Sequence, residues 1–311
     1  MLTITLLGTA ATMPLPDRAL SAAYTECRGH GLLLDCGEGT QAAARRAGVN
    51  LMRADAICLT HYHGDHIFGL PGLLQTLGAQ GRTRPLALLG PAGLADIWAA
   101  VRALAGPLPY PVQPRELTAG TPLPLARLSD SWSAGAVLLP FATKHRVRSL
   151  GYRLKLPRAG KFLPERARAL GVPVQQWKLL QRGEAVEANG RTILPAEVLG
   201  PARKGLSAVF SGDTSPCPGL LQAAQGADLL ICDATYALPE QEEQAKQWGH
   251  STFGQSAALA VQAGAKRLWL THYSPMITDP EEYALRAQSI FPAAECGFDG
   301  KSILLQYEEE A

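Results

Sequence analysis

The chain has no run of about 18 uninterrupted apolar residues, so it contains no segment suited to spanning a membrane as a helix. It also has no C-x-x-C pair. Cys27, Cys36, Cys58, Cys217, Cys232 and Cys296 are scattered, which excludes a zinc ribbon or a disulfide-stapled miniprotein and leaves buried free thiols of a reducing compartment. The apolar run Leu2 to Leu7 has no basic stretch before it and breaks at Gly8, so no secretory leader is expected. No period of about 20 to 50 residues recurs, which excludes a solenoid or propeller. A soluble, cytoplasmic protein with no membrane partner is the expectation. With 311 residues, 47% of them hydrophobic, the chain has material for one large α/β domain or two smaller ones.

What is present is an alternation of short apolar runs with Gly/Pro turns and helical stretches, the pattern of layered α/β architecture. Strands are predicted at Leu2 to Leu7, Leu32 to Asp35, Ala56 to Thr60, Pro85 to Gly90, Val137 to Phe141 and Leu150 to Leu156. Others are predicted at Val209 to Phe210, Leu229 to Cys232 and Arg267 to Leu270. Helices are predicted at Thr40 to Ala47, Gly93 to Leu104, Leu220 to Gln225, Phe253 to Ala263 and Glu281 to Phe291.

Six of the seven histidines fall where a two-metal hydrolase needs them. The run His61, Tyr62, His63, Gly64, Asp65, His66 follows a strand directly, and so many donors in so short a span require a turn, because helical neighbours two apart point to different sides. Imidazoles suit Zn²⁺, Fe or Mn²⁺, and a carboxylate beside a further histidine starts a second, oxygen-richer site. His145, Asp213 and His272 also follow predicted strands, where a rigid sheet fixes a loop ligand. His30, between Gly29 and Gly31, reads as a solvated turn residue without function.

With these motifs the chain resembles the metallo-β-lactamase superfamily and, within it, ribonuclease Z, the tRNA 3′-processing endonuclease. The resemblance runs from Gly8-Thr9 and Leu34-Asp35-Cys36-Gly37-Glu38 through Gly69-Leu70-Pro71-Gly72-Leu73 to Phe210-Ser211-Gly212-Asp213-Thr214, His250-Ser251-Thr252 and Leu270-Thr271-His272. It implies a four-layer αββα sandwich, a single domain over residues 1–311 with a flexible arm inserted at 157–204, and two Zn²⁺ per subunit, or Mn²⁺ or another divalent ion. One metal would be held by His61, His63 and His145, the second by Asp65, His66 and His272, with Asp213 bridging. Two such cations lower the pKa of a shared water and neutralise charge on a phosphoryl oxygen. Asp65 would orient or deprotonate that water. His250 would stabilise the transition state or protonate the departing 3′ oxygen, oriented by Asp233, which stands in Cys232-Asp233-Ala234-Thr235 where many relatives carry a longer acid.

Net charge is +2, yet from Lys155 to Gly205 ten Lys/Arg face four Glu. The resemblance makes this segment an arm gripping tRNA through phosphates, with Arg158, Lys161, Arg166, Arg168, Lys178 and Arg182 as its cations. The arm lacks the Gly-Pro pair common in relatives, and Met276 stands where many carry arginine. The implied partners are precursor tRNA and a second copy of the chain in a two-fold homodimer; no DNA is expected. A general metallo-phosphodiesterase or thioester or lactam hydrolase, and a metal-free RNA-binding protein, are the competing readings.

Overall fold

The computed structural model describes residues 1–132 and 135–308. The first half of the chain lays down β1 (Leu2–Gly8), β2 (Ala22–Cys27), β3 (His30–Leu34), β4 (Ala54–Cys58), β5 (Leu86–Gly90) and β6 (Val112–Glu116). The second half adds β7 (Leu123–Pro124), β8 (Val137–Ala142), β9 (Leu150–Arg158), a separate hairpin of β10 (Val186–Ala188) and β11 (Arg191–Ile193), then β12 (Arg203–Phe210), β13 (Leu229–Asp233), β14 (Leu268–Thr271), β15 (Ala294–Cys296) and β16 (Ser302–Leu305). They form two seven-stranded sheets, β16-β1-β2-β3-β4-β5-β6 and β15-β14-β13-β12-β9-β8-β7. In each, one half is parallel: β3 to β6 in the first and β12 to β15 in the second.

The side-chain period of two explains the layering. Leu32 and Leu34 point between the sheets and join Ile4, Phe210, Ile231 and Trp269 in a shared core. Leu33, Ile57 and Leu88 point the other way, onto helices Thr40–Arg46, Leu70–Ala79 and Leu94–Ala105. On the second sheet Val209, Leu230 and Leu270 face helices Pro218–Ala224, Phe253–Ala263 and Ala284–Gln288. Strands buried on both faces read as continuous apolar runs, and the result is an αββα sandwich. No helix among the described residues is long and apolar enough to cross a membrane.

Several elements differ from the sequence reading. Helix Leu70–Ala79 is absent from it because Gly72 and Gly78 signal breaks, yet Leu70, Leu73, Leu74 and Leu77 keep a buried helical stripe. The helix predicted from Glu281 to Phe291 is a 3₁₀ turn, Pro280–Tyr283, followed by Ala284–Gln288. His30 is not a solvated turn residue. It opens β3, its side chain is only 17% exposed, and its Nδ1 lies 2.9 Å from Oδ2 of the buried Asp55, which also accepts from Trp132 Nε1. Pairing of Cys27 with His30 in the β2–β3 hairpin carries the ring inward.

The insertion is shorter than 157–204. Pro157 and Arg158 end β9, Arg203 and Lys204 open β12, and Arg158 pairs in register with Arg203. Residues 159–202 build a folded unit around Val172, Leu180, Ile193 and Val198, a cluster separate from the main core. Lys161, Arg166, Lys178 and Arg182 are exposed on it and form no ion pair among the described residues. Arg168 pairs with Glu165 at 2.6 Å and lies over the Trp177 ring. Arg158 is at the neck, donating to the Glu308 carbonyl at 2.6 Å and stacked on Tyr307.

Candidate metal centre

The titratable side chains gather at the carboxyl ends of the parallel strands, where crevices of open α/β sheets form. Leu59 and Thr60 lead from β4 into His61, and His63 then begins a single helical turn, Gly64–Ile67, carrying Asp65 and His66. The histidine run is therefore half turn and half helix. Asp213 follows β12, Asp233 ends β13, and His272 follows β14 with a left-handed φ of 64° that few residues other than glycine adopt. Gly212, at φ 59°, passes so close that a Cβ there would meet the Thr60 side chain at 2.8 Å.

Seven donors converge as two clusters. In one, His63 Nδ1 lies 2.9 Å from His61 Nε2 and 3.3 Å from His145 Nε2, and Asp213 Oδ2 is 3.6 Å from His61 and 4.0 Å from His145. In the other, His66 Nε2 and His272 Nε2 are 3.2 Å apart, each 3.2 Å from Asp213 Oδ1 and 3.8 and 3.6 Å from Asp65 Oδ2. Asp213 thus turns one oxygen to each cluster.

The rings show which nitrogens carry protons. His66 Nδ1 donates to Asp35 Oδ2 at 2.8 Å and His145 Nδ1 donates to the Gly249 carbonyl at 2.8 Å, so their Nε2 lone pairs point inward. His61 and His272 place Nδ1 on the hydroxyls of Thr60 (3.0 Å) and Thr235 (2.9 Å). Converging lone pairs and carboxylate oxygens repel one another unless positive charge sits between them. Asp213 Oδ1 is buried and accepts no hydrogen bond. That orphaned oxygen, with five imidazoles and two carboxylates, fits two divalent cations of the zinc or manganese kind.

The electrostatics of the first cluster agree with this fit; in the second, burial of His66 is outweighed by Asp213 and Asp35, which raise that imidazole well above its usual pKa and mark where these carboxylates demand positive charge. Burial, reinforced by neighbouring His66, holds His61 well below the usual imidazole pKa, and burial lowers His63 and His145 too, keeping them in the neutral form a metal requires. Burial alone would raise Asp213; His272, His66 and His61 overcome it and hold the carboxyl well below its usual range.

Asp233, fully buried, is near enough to be mistaken for a further ligand. Its oxygens are already occupied. Oδ1 accepts from Thr235 N and Oγ1 at 2.9 and 2.8 Å, and Oδ2 accepts from Thr214 N at 3.0 Å and His250 Nδ1 at 2.8 Å. The short aspartate therefore reaches His250 directly. Burial opposes charge on that imidazole, but Asp233 outweighs it and pushes the pKa up to about 9. With Nδ1 committed, Nε2 of His250 is left for the cleft. Gly249 before it, at φ 75°, packs so tightly that a Cβ would meet His145 Cα at 2.9 Å.

A cleft of about 560 Å³ opens over the centre, its wall including Met13, Asp65, Phe68, Arg146, Trp248 and His250. Arg146 lies 4.4 Å over the Trp248 ring. Met276 is 87% exposed. Asp35, Thr60, Thr235 and Thr12, whose backbone N–H donates to Asp65 Oδ2 at 2.7 Å, stand behind the ligands with no signal of that role in the sequence. Threonines at strand ends are too common to stand out, and only the fold brings these to the ligands.

Two sheets between helices, with paired histidine/aspartate clusters sharing one carboxylate at the strand ends, define a hydrolase of the metallo-β-lactamase class, and the family model described as "Metallo-beta-lactamase superfamily" matches residues 26–239. The chain is 43% identical over 309 residues to ribonuclease Z of Lachnoclostridium phytofermentans, covering 99% of each, and 40% identical to that of Methanosarcina acetivorans, covering all of both. Human tRNase Z, short form, superposes with a TM-score of 0.65 at 26% identity over 98% of this chain and 99% of that one. The chain belongs to the ribonuclease Z family of that superfamily.

Proposed function

We propose that this chain is a zinc-dependent endoribonuclease that removes the 3′ trailer of precursor tRNA, leaving a 3′ hydroxyl on the tRNA and a 5′ phosphate on the trailer. The observation that carries it is the pair of donor clusters sharing Asp213 beneath an open cleft, in a chain that aligns end to end with ribonuclease Z proteins. His61, His63 and His145 would hold one cation, Asp65, His66 and His272 the other, and Asp213 both. When bound, the cations supply Lewis acidity toward the phosphoryl oxygens and make water a nucleophile at neutral pH.

The chain's own residues do the rest. Asp65, steadied by Thr12 N–H, orients the attacking water and accepts its proton. His250, protonated and held by Asp233, gives its proton to the departing 3′ oxygen. The inserted unit supplies Lys161, Arg166, Lys178 and Arg182 for the tRNA phosphates, and in a two-fold homodimer it reaches RNA seated in the partner's cleft.

The test is product mapping on precursor tRNAs with and without encoded CCA. Cuts at the 3′ side of the discriminator nucleotide, with the stated ends, are the expected result; fragments ending elsewhere, or equal turnover of unstructured RNA, would overturn it. His250→Ala should lower kcat roughly 10²-fold, the lower end of what a positioned proton donor contributes, while bound metal measured by mass spectrometry stays unchanged. Loss of metal from that variant would make His250 a ligand instead.

A further inference from the structure

Two carboxylates just outside the donor clusters are used in the same way. Asp35 Oδ2 accepts His66 Nδ1–H at 2.8 Å and the Thr60 hydroxyl at 2.8 Å, and Thr60 Oγ1 lies 3.0 Å from His61 Nδ1. Asp233 accepts His250 Nδ1–H at 2.8 Å and the Thr235 hydroxyl at 2.8 Å, and Thr235 Oγ1 lies 2.9 Å from His272 Nδ1. Each carboxylate orients one imidazole directly and a second through a threonine; Thr235 differs from Thr60 in that its Oγ1 also lies 3.1 Å from Nδ1 of the directly held ring, His250. The two relays sit on opposite sheets, one after β4 and one after β13.

The chemistry fixes the direction of each relay. A carboxylate only accepts, so the hydroxyl proton goes to aspartate and the hydroxyl lone pair faces the ring. His61 and His272 must then carry hydrogen on Nδ1, which leaves Nε2 as a lone pair aimed at Asp213. Neither ring has another Nδ1 partner among the described residues, and Thr60 and Thr235 are buried at 2% and 6% exposure, so bulk water does not substitute. Without the hydroxyl, His61 or His272 could take the other tautomer and present N–H where a ligand is needed.

We propose that Thr60 and Thr235 are positioning residues, one for each donor cluster, that set the tautomer and pose of His61 and His272; Thr235 also ties the His250–Asp233 pair to the metal-facing ring of His272. This rests on the two-cation reading above. Partners behind a ligating histidine are typically worth about 10- to 100-fold in metal affinity.

The experiment is competitive Zn²⁺ titration of the full-length protein against a chromophoric chelator. Wild type takes up two tight equivalents. Thr235→Val and Thr60→Val each weaken one of the two by about 10- to 100-fold, the double variant weakens both, and Thr235→Ser and Thr60→Ser return within a few-fold of wild type because they restore the hydroxyl. Thr→Ala variants replace the valines if those fail to fold. A wild type that binds fewer than two equivalents overturns the two-cation reading and this proposal together. Two wild-type equivalents with unchanged affinity in the Val or Ala variants, or serine variants as weak as the valines, overturn the relay alone.

Discussion

Asp213→Asn is expected to abolish cleavage, with at least about a 10⁴-fold loss of rate if two cations each contribute about 3 kcal/mol of charge stabilisation. The size of the effect follows from position. Among the described residues Asp213 is the one side chain whose two oxygens face both donor clusters, at 3.2 Å from His66 and His272 on one side and 3.6 Å from His61 on the other. Asparagine keeps the shape, removes the negative charge, and turns an N–H donor toward one cluster or the other. Bound metal should fall for both equivalents. Asp65→Ala makes the contrast: of the two donor clusters its carboxylate joins the one with His66 and His272, so cleavage is lost while one equivalent remains on His61, His63 and His145. Metal analysis beside single-turnover cleavage checks both variants. Two retained equivalents and an unchanged rate in Asp213→Asn would remove the shared carboxylate from the mechanism.

The legibility of this centre in the sequence was uneven for physical reasons. The run from His61 to His66 announces itself because its donors are local; their spacing alone demands convergence. His145, Asp213 and His272 come from other loops, and a single histidine or aspartate after a strand has no distinguishing mark until the family pattern supplies one. Asp35 stands in the Leu34-Asp35-Cys36-Gly37-Glu38 segment with nothing local to mark its role, because a hydrogen bond to His66 from 31 residues away is a fact of the fold. Thr60 and Thr235 are further removed, acting through a hydroxyl on another side chain. His30 failed in the opposite direction: flanking glycines suggested an exposed turn, but strand pairing and the buried Asp55 decide its environment. In the fold, the doubly buried strands were plain as apolar runs. Helix Leu70–Ala79 was hidden by its glycines, and β6, whose residues are mostly exposed, offers little apolar signal.

The inserted unit supports a prediction that separates substrate grip from chemistry. Because Arg158 and Arg203 are register partners, residues 159–202 can be replaced by an Asn-Gly turn that closes β9 and β12 as a hairpin. The unit's apolar cluster is separate from the one between the sheets, so the sandwich should keep its core. Turnover of precursor tRNA, as kcat/KM, should fall by about 10³-fold, taking roughly 1 kcal/mol for each of four phosphate contacts from Lys161, Arg166, Lys178 and Arg182. Hydrolysis of bis(p-nitrophenyl) phosphate, which is too small to touch the unit, should stay within a few-fold of wild type. Alanine at those four positions should reproduce the loss and flatten the dependence of log affinity on log salt by about 0.7 to 0.9 per contact removed. Equal loss on both substrates would make the unit part of the fold. An unchanged salt slope with the unit excised would instead move the grip to the neck, since the insertion proper carries six Lys/Arg against four Glu and the remaining positive charges, Lys155, Arg158, Arg203 and Lys204, lie on the strands that support it.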